Sequence, residues 1–200
     1  MEAKLTPANG ILIGLNSLVM VICILLGPEI ESLIYSFGVM DWTMIINKGE
    51  YYRLFTSMFL HFGFEHYLQN MIFLFFVGCF LETAMGSVKY FIFYIVAGLG
   101  AGVCSLVYDT VTAANVISAG ASGAIFAVVG GLLWVIVRNK GRYKGIGLPG
   151  MLLMIVGSLY YGFTSTDVDN VAHVGGVLCG FLLAVVFYRK KERQLSLTKF

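Results

Sequence analysis

The chain has 200 residues, of which 58% are apolar and only 12% charged, with a formal net charge of +2 and a mean hydropathy of +0.86. An ordinary soluble domain carries about 25% charged residues, so this composition excludes a water-soluble globule and indicates a polytopic membrane protein.

A hydrocarbon layer of about 30 Å, at about 1.5 Å per helical residue, needs a long apolar window. Six such windows occur, at approximately 9–27, 66–84, 89–108, 120–137, 146–163 and 171–188. Lys4 and the apolar run ending at "LLGPE" resemble a signal peptide, but no small-x-small cleavage site follows, so the first window is read as a spanning helix. Cys23, Cys79, Cys104 and Cys179 all fall inside windows, which predicts neither a disulfide nor a metal site.

Between the first two windows lies a long loop, Pro28 to about Glu65, half apolar in "MDWTMIINKGEYYRLFTSMFLHFGF". It is expected to lie in the outer interface, with Trp42, Tyr51 and Tyr52 at headgroup level. The fourth window is short: if its helix begins at Ser122, the 16 residues to Val137 span about 24 Å. With its inner end fixed by "RNKGRYK", Ser122 would start a helix below the outer surface, and "DTVTAANVISAG" before it would be irregular backbone.

Basic residues are distributed unevenly. Lys4, Lys89, Arg138, Lys140, Arg142, Lys144, Arg189, Lys190, Lys191, Arg193 and Lys199 belong to one set of loops, whereas the alternate set holds Lys48 and Arg53 alone. This asymmetry predicts that both termini are cytoplasmic. The basic tail, 189–200, reads as an orientation anchor with anionic-lipid contact secondary and no role in nucleic-acid binding. The chain reads as one domain, 1–200, with no internal repeat of the kind many transporters carry.

Polar groups inside a membrane are costly, so each is a functional candidate that competes with a packing explanation. Ser122 stands in Gly120-Ala121-Ser122-Gly123, which close helix packing would also use. It is not the Gly-x-Ser-x-Gly elbow of soluble hydrolases, because Ala124 occupies the second glycine position. His173 can serve as the base that activates a serine hydroxyl. His173, Gly176 and Gly180 recur at i, i+3 and i+7, so two glycines on its face would admit a neighbouring backbone. His66 and Asn70 share a helical face at i and i+4; they could be an interhelical hydrogen-bonded pair or donors for an oxyanion. Asp167 and Asp169, just before the sixth window, read as helix-capping residues rather than a triad acid. Glu82, at the cytoplasmic end of the second span, reads as a structural helix-end residue.

The segments "YYRLFTSMFLHFGFEHYLQN", "LETAMG", "GASGAIFA" and "NVAHVGGVLCG" occur in this order. Over about 50–188 they resemble the rhomboid family of intramembrane serine proteases. The resemblance implies an all-α, six-span membrane bundle of the bacterial core type. It further implies a Ser-His dyad, with Ser122 as nucleophile and His173 as base and later acid, and an oxyanion hole of His66, Asn70 and the Ser122 backbone N–H. Arg53, Glu82 and Gly86 match family positions read as structural. Phe126 stands where better known bacterial relatives have a tyrosine stacked on the histidine; a phenyl ring can stack but lacks the hydroxyl.

The expected activity is hydrolysis of transmembrane segments of single-span membrane proteins, without a cofactor, in the cell membrane at a site open to the outer side. The long first loop and the fifth span are expected to move to admit substrate. Two other classes remain open: a catalytically inactive rhomboid-like module that binds membrane proteins, and a small proton-coupled transporter using His66 and His173 as a relay.

Overall fold

The computed structural model describes residues 4–114, 116–165 and 168–190. Asp167 and the tail residues Lys191, Arg193 and Lys199 lie outside them.

Four helices are long and apolar enough to cross a membrane: α1 (Pro7–Leu26), α5 (Phe64–Met85), α6 (Ser87–Thr112) and α9 (Asn170–Phe187). Two shorter apolar helices, α7 (Ser122–Arg138) and α8 (Leu148–Thr164), occupy the fourth and fifth windows. The molecule is an all-α membrane bundle, with two-residue strand pairs as its described sheet.

Buried α7 forms the centre, with Ala124 to Leu132, Val135 and Ile136 buried. Packed around it are α5, α6 and α9. Helices α7 and α9 run parallel, from Gly123 beside Ala172 at one end to Asn139 donating to the Tyr188 hydroxyl at the other. Helix α6 runs the opposite way, from Phe93 beside Gly131 to Ala101 beside Gly123.

Glycines make this close approach possible. A Cβ on Gly180 would sit 2.5 Å from the Ala127 carbonyl carbon, and one on Gly176 would collide with the Gly123 carbonyl. These are the two glycines whose face was expected to admit another backbone. On the opposite helix Gly130 does the same work, since its Cβ would lie 2.9 Å from the Val177 carbonyl carbon.

Helix α1 is joined to the bundle by polar contacts at its first turn. Glu82 accepts from the Thr6 hydroxyl (2.6 Å), the Ala8 and Asn9 backbone N–H groups (3.0 and 2.7 Å) and the Ser87 hydroxyl (2.6 Å). One buried carboxylate therefore caps α1 and fastens the α5–α6 turn. Asn9 continues the seam, donating to the Leu74 carbonyl (2.9 Å) and accepting from the Tyr90 hydroxyl (2.7 Å). Glu82 is the structural helix-end residue expected.

The first loop is more ordered than the interfacial segment expected. It folds into α2 (Pro28–Gly38), β1 (Met40–Asp41), α3 (Trp42–Lys48), α4 (Arg53–Thr56) and a 3-10 turn, Ser57–Phe59. Asp41 caps α3 by accepting from the Thr43 and Met44 N–H groups; burial raises its carboxyl pKa, but these donors and the Thr43 hydroxyl bring it below the ordinary value. Arg53 is buried and donates to the Val39 carbonyl (3.0 Å), the Ser36 carbonyl (2.8 Å) and Glu50 (2.6 Å), so it knits the loop together. Tyr51 and Tyr52 are exposed, but Trp42 packs against Met40, Ile45 and Leu106.

Helix α6 also continues to Thr112, so "DTVT" is helical rather than irregular. Beyond it, β2 (Ile117–Ser118) pairs antiparallel with β1, Met40 opposite Ser118.

Candidate active site

Ser122 is the first residue of α7, as the short fourth window predicts. Its helix has no side-chain N-cap, because the preceding residue is Ala121. Unpaired N–H groups at a helix start suit a developing negative charge.

His173 lies in the first turn of α9. Its ring stacks on Phe126 with centroids 4.1 Å apart and planes 16° from parallel. Phe126 is one turn after Ser122, and the glycine-mediated docking of α9 on α7 brings the histidine to this end of α7. Its Nδ1 is buried without a partner among the described residues. Among the described residues no carboxylate hydrogen-bonds the imidazole, and the phenyl ring covers its face.

Asp169 is occupied elsewhere. It caps α9, accepting from the Ala172 N–H (2.8 Å), and its other oxygen accepts from the hydroxyls of Ser105 (2.6 Å) and Ser118 (2.8 Å). The capping role was legible from sequence; the two hydroxyl partners were not. Together they tie the start of α9 to α6 and to the strand ahead of Ser122.

His66 reaches the same place from α5. A Cβ on Gly120 would lie 2.9 Å from His66 Cε1 and 3.1 Å from Nε2, and 3.6 Å from Ser122 Oγ. Gly120 has φ +143, a conformation open to glycine and rare for other residues. Asn70 is buried on α5 and donates to the His66 carbonyl at 2.9 Å, which leaves its second amide hydrogen for another acceptor. The structure thus gathers His66, Ser122 and His173 at one end of the bundle, with Asn70 one turn below His66. Among the described residues Ser122 Oγ makes no hydrogen bond.

Sequence reasoning missed His61, which is buried between the 3-10 turn and α5. Its Nε2 accepts the Ala121 N–H at 3.4 Å, and its ring meets His66 edge-on at 5.3 Å. Burial pushes its pKa down to about 3, His66 adds to the shift and the Phe59 carbonyl opposes it. A signal was present: it is one of only three histidines.

An open groove of about 500 Å³, lined by Glu31, Tyr35, Ser36, Phe62 and Ile117 among others, lies beside α2. Neither Ser122 nor His173 lines it, so it is not the water cavity expected at the serine.

Comparison with known proteins identifies the family. The rhomboid-domain family model matches residues 48–190. RHOMBOID-like protein 1 of Arabidopsis thaliana is 38% identical over 165 residues, 82% of this chain and 41% of that protein. Rhomboid protease GluP of Bacillus subtilis is 34% identical over 140 residues, 70% of this chain and 27% of its own length. RHOMBOID-like protein 6, mitochondrial, of Arabidopsis thaliana is 33% identical over 169 residues, 84% of this chain and 53% of that protein. The chain belongs to the rhomboid family, a class of helical membrane proteins that includes serine proteases. It spans about half or less of the length of these relatives.

Proposed function

We propose that this protein is an intramembrane serine endopeptidase that hydrolyses a peptide bond in or near the transmembrane segment of another membrane protein. Ser122 Oγ attacks the scissile carbonyl while its proton passes to the His173 imidazole. The same imidazole then protonates the leaving amine, releasing one product and leaving the other as a Ser122 ester. Water attacks that ester, giving its proton to His173, which returns it to Ser122 Oγ as the acyl C–O bond breaks and the second product leaves as a carboxylic acid. His66, Asn70 and the Ser122 N–H donate to the oxyanion. The chemistry needs no cofactor.

The observation that carries this reading is the His173–Phe126 stack one helical turn from a serine that begins a helix. Location follows from the two ends of the bundle. The candidate site lies at one end, whereas Arg138 and Lys190, whose ammonium donates to the Arg138 carbonyl, lie at the other. With basic residues cytoplasmic, the serine faces the outer side of the cell membrane.

The test is cleavage of a panel of single-span substrates in liposomes by wild type, Ser122→Ala and His173→Ala. Cleavage by wild type alone supports the dyad; equal cleavage by all three refutes it.

A further inference from the structure

We propose that His61 is a positioning residue for the nucleophile, a neutral acceptor that sets the backbone ahead of Ser122; this rests on the serine-protease reading above.

The first N–H groups of a helix have no intrahelical acceptor, and Ala121 offers α7 no side-chain cap. Instead, the two N–H groups ahead of the serine are taken by the segment before α5. Gly120 N–H donates to the Ser57 carbonyl at 2.9 Å, and Ala121 N–H donates to His61 Nε2 at 3.4 Å. The Ala121 carbonyl in turn accepts from the Ile125 N–H at 2.9 Å.

Both peptide units flanking the Ala121 Cα are therefore held, one by His61 and one by the helix. The direction of the Ser122 N–H follows from them. That group has no acceptor among the described residues, as an oxyanion donor requires.

The same imidazole contacts the second oxyanion candidate. Its ring is edge-on to His66 at 5.3 Å and to Tyr67 at 5.7 Å, and the Tyr35 hydroxyl donates to its backbone carbonyl. It is wedged, with little room to turn. Because Nε2 accepts, the ring proton must reside on Nδ1, which is buried and makes no well-formed hydrogen bond among the described residues, the Phe59 backbone interacting only weakly with the ring. Such burial is costly, and a leucine would fill the space without that cost. The imidazole is explained by what its other nitrogen does.

The experiment compares wild type, His61→Leu, which removes the acceptor, and His61→Gln, which keeps an acceptor at similar reach. It also records the nitrogen NMR spectrum of ring-labelled wild type. His61→Leu is expected to lower kcat about 10- to 100-fold, the scale of a catalytic group displaced by about 1 Å. KM should change little, and His61→Gln should restore most of kcat. The spectrum should show His61 protonated on Nδ1.

Equal losses in the two variants, or wild-type kcat in His61→Leu, would overturn the proposal. If His61→Leu does not fold, the spectrum decides, since a proton on Nε2 excludes the acceptor role. Absence of any cleavage that depends on Ser122 would instead bring down the protease reading, an outcome the Ser122→Ala control separates.

Discussion

Replacing Gly180 by alanine probes the contact on which the candidate site depends. The added methyl would lie 2.5 Å from the Ala127 carbonyl carbon and 2.7 Å from its Cα. Carbon atoms prefer about 3.5–4.0 Å, so α9 must retreat from α7 by about 1 Å. The obstructing atoms are backbone in the middle of a buried helix and cannot rotate away. Overpacking of this kind costs about 1–3 kcal/mol. His173 is carried on the same helix seven residues earlier, so its stack on Phe126 opens with the helix, and kcat should fall by about 100-fold. Gly157→Ala on α8 is the matched control, since a Cβ there meets nothing within 4 Å. Unfolding in mixed micelles and cleavage in liposomes would be measured for both. Wild-type stability and kcat in Gly180→Ala would refute the idea that glycine docking sets the histidine.

Glu82→Ala should destabilise the protein by about 2–4 kcal/mol, because it strands two buried N–H groups at the start of α1; denaturant unfolding in micelles measures this, and an unchanged midpoint would contradict the capping role. Phe126→Ala removes a stacked pair worth about 0.5–1.5 kcal/mol, and kcat should fall about 3- to 10-fold, with Phe126→Tyr retaining activity. Steady-state cleavage kinetics check this, and full activity in Phe126→Ala would show that the ring does not hold His173.

Hydrophobicity located the long helices well: the first, second and sixth windows end within two residues of α1, α5 and α9. The third failed at its polar end. Asp109 is buried, and the Thr110 and Thr112 hydroxyls fold back onto the Leu106 and Tyr108 carbonyls, so residues that read as loop stay helical. Ser122, His173, His66 and Gly176 were legible because small and polar residues stand out against an apolar background. His61, Gly130 and the serine partners of Asp169 were not. Their roles come from contacts across tens of residues, such as Ser105 with Asp169 and His61 with Ala121, and no local pattern encodes which distant backbone a side chain will meet.

The pairing of Met40 with Ser118 has a mechanical consequence. With the Gly120 N–H bound to the Ser57 carbonyl and Arg53 riveting the loop from within, the first loop is a bracket bolted to the strand that leads into Ser122. Swinging it aside would wrench the serine with it. Helix α8 turns Leu153, Val156, Tyr160 and Phe163 outward, and no hydrogen bond among the described residues ties it to that strand, so under the proposed protease reading it is the side on which a substrate helix would enter without moving the serine.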